Sequence, residues 1–296
     1  MQLLHNLINA MKSHGLNINS QKLVFNKIGR CGNQNKPNSK NAWYLIFDNG
    51  TFSSAVFGDF QTGTRQTWCS KKRLSYQEKQ QQQANYVEAQ KQLEQIKKEQ
   101  LQQLRIQYQQ YQTLTNDMSH GYLNKKSITE WLRCSQAELL KLDHVGNLIM
   151  PIRNINNELM GYQIINSNGD KWFATGSQKK GNFYLLIADG FKINDCHYIY
   201  VGEGLATMVS WYLAMNEYLE KHNFACIVAL DVGNIEPVLL NLWSKYKNIP
   251  VTIIADNDYS TDINIGVNTA NKIKNQYQHQ YKVDVFVPEL AGGVAC

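Results

Sequence analysis

Four short, largely apolar runs in the last third of the chain, at 197–202, 225–230, 251–255 and 282–287, alternate with helical periodicity at about 205–221, 235–247 and 263–277. Few folds accept that pattern. A strand that is apolar along its whole length has both faces covered, and strands that alternate with helices pair in parallel through right-handed crossovers. The reading is a parallel sheet with helices on both sides.

Ligands of such open sheets bind beyond the carboxyl ends of the strands. Two of those ends carry carboxylates: Val201-Gly202-Glu203-Gly204 and Ala255-Asp256-Asn257-Asp258. The glycines let the backbone approach a ligand closely. Asp256 and Asp258 are two apart, so in extended chain they point to the same side. With strands one and three adjacent, Glu203, Asp256 and Asp258 converge. Oxygen-only ligands suit Mg²⁺ or Mn²⁺, which stabilise attacking and leaving oxygens in phosphoryl transfer. Each pattern alone is weak, because most Asp-x-Asp pairs are solvated turns. Asp231, in ALDVGN, either faces the same site or caps an Asx-turn.

Upstream the chain changes character three times. Residues 3–18 place apolar side chains at helical spacing, with Gly15 as the stop. Runs at 43–47 and 54–57 flank Asp48-Asn49-Gly50 as a hairpin, inside a β-rich module over 20–70. Residues 77–112 are Gln-rich without Pro or Gly, and read as a long polar helix, with a dimerising coiled coil or Gln-rich disorder as the alternatives. From 120, HGYLNKKSI leads into a short helical stretch near 135–142. LIMPIRN, ELMGYQIIN and KWFATG then read as an antiparallel meander. The expected divisions are 1–75 (helix plus β-rich module), 76–115 (long helix), 116–194 (meander subdomain) and 195–296 (parallel sheet).

VGEGLAT resembles the first motif of the Toprim domain of primases, topoisomerases and some nucleases, and IADND resembles its DxD motif. GVNTA at 266–270 resembles the helix start that follows. The likeness covers about 195–290. It implies a Rossmann-like four-stranded parallel sheet in which Glu203 is a metal ligand or general acid/base, with Asp256 and Asp258 as ligands. Asp262 is a weaker match to a further acidic position. HGYLNKKSI, LIMPIRNINNELMGYQIIN and GDKWFATGSQKKGNFYLL resemble the upstream half of the primase catalytic core. Asn41, Trp43, Tyr44, Asp48, Gly50, Phe57, Gly58, Asp59, Thr62, Gly63, Thr67 and Trp68 follow a pattern of phage, plasmid and conjugative-element primases.

The resemblance implies a nucleotidyltransferase that makes short RNA primers, with single-stranded DNA template and ribonucleoside triphosphates as partners. A Toprim nuclease and a non-catalytic single-strand-binding accessory remain open as alternatives. Arg153, Lys171, Lys179 and Lys180 are candidates for neutralising template or triphosphate oxygens, against the plainer reading of solvated cations. Trp43, Tyr44 and Trp68 offer faces for unpaired bases, with Arg65 and Lys71 to Arg73 tracking the backbone. At least one of the two tryptophans is expected in the core instead. The net charge of +6 is permissive for a polyanion and no more.

The six cysteines are scattered, so neither a disulfide framework nor the zinc ribbon of cellular primases is expected. There is no GxxxxGK[ST] loop, which leaves a helicase motor to a separate partner. No secretory or membrane-spanning stretch is apparent, so the expected location is the cytoplasm, with a longer native chain beyond Cys296 left open.

Overall fold

The computed structural model describes residues 2–48, 50–60, 62–115, 118–129, 140–188, 191–218, 223–256 and 264–288. The chain is a mixed α/β protein with two compact units, Met1–Glu99 and Gln100–Cys296.

The first unit opens with α1 (Gln2–Ser13), which ends where Gly15 takes φ +86°. An antiparallel sheet follows in chain order: β1 (Leu16–Asn17), β2 (Gly29–Asn33), β3 (Ala42–Asp48), β4 (Ser53–Asp59) and β5 (Arg65–Cys69). The hairpin read from the sequence is β3–β4, with Trp43 opposite Gly58 and Ile46 opposite Ala55. Alternation sorts its residues. Tyr44, Ile46, Ala55 and Phe57 pack against Leu7 and Met11 of α1. Trp43, Leu45, Phe47 and Val56 pack against Ala89 and Leu93 of α2 (Tyr76–Gln110). The sheet is buried on both faces, and so these strands carry long apolar runs.

The Gln-rich stretch is therefore helical, and it starts on a capping box. Glu78 accepts from the Ser75 amide at 2.9 Å, and the Glu78 amide donates to the Ser75 hydroxyl at 3.3 Å.

The second unit contains two sheets. One is an antiparallel meander of β6 (Gln112–Thr113), β7 (Lys141–Leu142), β8 (Leu148–Arg153), β9 (Leu159–Ile165) and β10 (Lys171–Phe173). The helical stretch expected near 135–142 lies mostly outside the described residues, and its end is a correction. Lys141 and Leu142 pair with β8 because the Asp143–Asn147 turn folds them back. Three turns of this sheet share one device. Asp143, Asn154 and Asn166 each accept backbone N–H groups two to four residues on, closing the hairpins with their own side chains.

The other sheet comprises β11 (Tyr184–Ile187), β12 (Tyr198–Gly202), β13 (Phe224–Val228), β14 (Val251–Ile254) and β15 (Val283–Phe286), in the order β11-β13-β12-β14-β15. The last four strands are parallel, as read from the sequence. The fifth is not anticipated there: β11 joins the edge antiparallel to β13. Helix α4 (Leu205–Tyr218) covers one face, and α5 (Ile235–Tyr246) and α6 (Ile265–Tyr277) cover the other. Leu205, Met208, Val209 and Tyr212 of α4 are all buried, each contributing about 1.5–3 kcal/mol through removal of apolar surface from water. Short α3 (Gly121–Lys125) packs its Tyr122 and Leu123 into the same core.

Candidate active site

Strands β12 and β14 are neighbours, with Gly202 opposite Ile254. Their carboxyl ends therefore open side by side, and Glu203 and Asp256 line one cleft of about 210 Å³. Two close approaches hold these ends in place. A Cβ on Gly202 would meet the Met208 sulfur at 2.3 Å, so this glycine seats α4 on the sheet rather than admitting a ligand. A Cβ on Gly266 would meet the Asp256 carbonyl oxygen at 2.7 Å, which brings α6 down onto the strand tip. Leu230, also on the cleft, sits at φ +78° and donates its amide to the Glu203 carbonyl at 3.0 Å. A left-handed leucine costs on the order of 1–2 kcal/mol, stored at the wall of the cleft.

Opposite the carboxylates stands Lys171. The Asn166 turn ends one residue before it, so the turn places this side chain at the start of β10. Lys171 is exposed as a residue, and its ammonium lies 5.1 Å from the centre of the Tyr122 ring. Partial desolvation lowers its pKa from the ordinary lysine value, and the charges of Glu203 and Asp256 oppose that shift.

The other sequence candidates lie apart from the cleft wall. Arg153 donates to the Asn157 carbonyl at 2.9 Å, within the turn after β8. Burial lowers its pKa. Lys179, a candidate for phosphate, forms an ion pair with Asp231, for which the sequence left a site role and an Asx-turn both open. Asn234, missed in the sequence, anchors that loop. It is buried, accepts from the Gly181 amide at 2.7 Å, and donates to the Lys179, Asn182 and Ala229 carbonyls. Lys180 is exposed. Asp258 and Asp262 lie outside the described residues. Among the described residues, no three His, Cys, Asp or Glu side chains cluster as a metal site.

In the first unit, Trp43 is 3% exposed and tilted against Phe60, so no base stacks on it without unpacking a core. Trp68 is half-buried. Arg65 is exposed, with its guanidinium 5.7 Å from the Trp43 ring and 5.6 Å from the Tyr86 ring.

The cleft also contains residues that the sequence did not mark: Tyr122, Lys126, Gln163 and Thr207. Burial pushes the Tyr122 phenol up to about 12.

The chain is 29% identical over 201 residues to a protein named DNA primase TraC from Escherichia coli, covering 67% of this chain. A second Escherichia coli protein of that name is 29% identical over 119 residues, or 40% of this chain. The chain is similar to DNA primases. That bears out the primase resemblance read from its motifs. The matched regions are 13% and 10% of those longer proteins. No family model matches the chain. Among the described residues, no helix is long and apolar enough to cross a membrane.

Proposed function

We propose that this chain is the catalytic part of a Toprim-type DNA primase that joins ribonucleotides on single-stranded DNA. The observation that carries this reading is the meeting of Glu203 and Asp256, from adjacent parallel strand tips, with Lys171 across one cleft. The similarity to DNA primase TraC supports it.

The donor set fits a hard cation. Both carboxylates offer oxygen only, and Mg²⁺ or Mn²⁺ ordinarily takes one or two protein carboxylates beside water and substrate phosphates. Glu203 and Asp256, with Asp258 from the same motif, would hold it, and it would supply charge stabilisation at the attacking and leaving oxygens. In the reaction the primer 3′-hydroxyl oxygen bonds to the α-phosphorus of the incoming nucleotide, and the bond to pyrophosphate breaks. In this reading Glu203, if it is not a metal ligand, would take the hydroxyl proton, and Lys171 would offset charge on the phosphate oxygens. Arg65 and Trp68 in the first unit are offered to the template strand, Arg65 as a backbone cation.

The test is incubation with single-stranded DNA, labelled ribonucleotides and Mg²⁺ or Mn²⁺. Short oligoribonucleotides that disappear in Asp256→Asn are the expected result. Strand cleavage without synthesis would replace this reading with a nuclease, and binding without either reaction would make the chain an accessory.

A further inference from the structure

The cleft also receives a neutral polar group that the roles of the carboxylates and Lys171 leave unexplained. On β9, Gln163 stands opposite Met150 of β8 on one side and Phe173 of β10 on the other. Lys171 pairs with Ile165, and each is two residues from Phe173 or Gln163 on its own strand. Gln163 and Lys171 therefore project from the same face of the meander. Both line the cleft with Glu203 and Asp256.

Gln163 is 6% exposed. Its two cross-strand neighbours are apolar and pack in the core of this unit, so the sheet offers the carboxamide nothing to bond. Among the described residues that carboxamide makes no hydrogen bond, and it is not one of the polar groups sealed away from the surface. Asn234 is the contrast: it is also buried, and its amide is bonded through both its oxygen and its nitrogen. A carboxamide carries two N–H donors and an accepting oxygen, and burying one without partners is unfavourable. A buried amide without a protein partner, on the wall of a cleft, is a group kept for a ligand.

The chemistry of the cleft narrows what that ligand group is. The carboxylates suit a cation and Lys171 suits an anionic oxygen. A neutral amide that both donates and accepts suits a neutral group that does both, either a hydroxyl or the edge of a base. Unpaired bases are held on aromatic faces. Among the described residues Tyr122 is the one aromatic side chain on this cleft, and it is 2% exposed with the Lys171 ammonium 5.1 Å from its ring centre. A base finds no platform there, and a sugar hydroxyl needs none. The sugar is also the part of a nucleotide joined directly to its α-phosphate.

We propose that the Gln163 carboxamide hydrogen-bonds the 2′-hydroxyl of the incoming nucleotide and so selects ribose over deoxyribose. This rests on the nucleotidyl-transfer reading of the carboxylates and adds the residue that sets the sugar. The 2′-hydroxyl is the one sugar group in which the two kinds of substrate differ, and it is both donor and acceptor. A site built to bond such a hydroxyl disfavours the analogue that lacks it, because the amide is then left buried and unpaired.

The test is calorimetric titration of the full chain in Mg²⁺ with ATP, 2′-deoxy-ATP, 3′-deoxy-ATP and UTP. Wild type is expected to bind 2′-deoxy-ATP about ten-fold more weakly than the other three. Gln163→Met keeps an unbranched side chain of similar length and removes the amide, and in it the four affinities should come within about two-fold of one another. Gln163→Asn keeps the amide but draws it back by one methylene, and the ribose preference should fall there too. Equal wild-type affinities for ATP and 2′-deoxy-ATP overturn the contact. So does a variant that weakens all four ligands alike, which is what a structural residue would do, and so does a ribose preference kept in full by both variants. A loss that follows the 3′-hydroxyl, or that separates ATP from UTP, also overturns it, the latter by making Gln163 a base reader. Primer synthesis failing while a Gln163-dependent ribose preference holds would sink the primase reading and leave the sugar contact standing. Asp256-dependent synthesis whose choice of ribose ignores Gln163 would do the reverse.

Discussion

Asp59 in the first unit and Asp256 in the second both stand in motifs that resemble primases, yet their surroundings differ. Asp59 is 8% exposed, accepts from the Asn33 side chain at 2.6 Å and from the Thr62 amide at 3.3 Å, and closes the turn after β4. Asp256 is partly open and lines a cleft with another carboxylate and a lysine. The aromatic–cation pairs do not divide in this way: Trp43 beneath Arg65 and Tyr122 beneath Lys171 both belong to cores. Local, buried partners mark a motif residue as architecture. Convergence from distant segments onto one cleft marks a candidate for chemistry.

The largest break in that comparison comes from Asp256→Asn. It should lower primer synthesis on the order of 10³-fold while leaving thermal unfolding in place, because the substitution keeps the shape of a partly open side chain. Were melting to collapse with activity, Asp256 would belong with Asp59 as a structural acid. The mirror experiment is Trp43→Ala. Denaturant unfolding should lose about 3–5 kcal/mol, the cost of emptying a large aromatic site in a core. A variant that unfolds like wild type but loses template affinity would instead make Trp43 a stacking platform.

The parts of this molecule legible in its sequence are those whose surroundings are uniform. Strands β12 to β15 are parallel and mostly covered, so their apolar runs announce them. Strands β2 and β5 read GRCGN and RQTWC, without an apolar run, and only pairing with β3 and β4 defines them. Strand β11 is apolar, but nothing local says that it joins the parallel sheet antiparallel at its edge. The carboxylate pair was legible because strand ends carry it. Lys179 and Asp231 are 52 residues apart, and their pairing is a tertiary fact that no local pattern encodes. Tyr122 went unmarked for the same reason: HGYLNKKSI reads as the approach to a helical stretch near 135–142, and its place on the cleft is a tertiary fact.

A smaller effect separates the two regions at Arg65. Because its guanidinium is exposed over the Trp43 and Tyr86 rings, Arg65→Ala should spare the fold. If it tracks template phosphate, affinity for single-stranded DNA should fall at every sequence, and the slope of log affinity against log salt should drop by about one. Unchanged binding and slope would leave Arg65 as a surface cation, and the first unit would then offer its template role on Trp68 alone.

The smallest effect concerns Glu78 at the start of α2. Its carboxylate takes a hydrogen bond from Lys71 at 2.6 Å and one from the Ser75 amide, and these, Lys71 first, hold its pKa below the ordinary carboxylate value. A carboxylate whose pKa is lower folded than unfolded stabilises the fold above its unfolded pKa, and that stabilisation fades as pH falls through the lowered folded value. The pair is open to water, which keeps the effect small. Glu78→Gln preserves an accepting oxygen and removes the charge. At neutral pH it should melt lower than wild type by no more than about 2 °C, and the two curves should merge as the pH drops below the lowered pKa. Primer synthesis per folded molecule should not change, since the charge serves the helix start and not the cleft. A loss of synthesis at neutral pH with normal melting would mean that an acidic group of the first unit takes part in the reaction, and the division drawn between Asp59 and Asp256 would then no longer follow the two units.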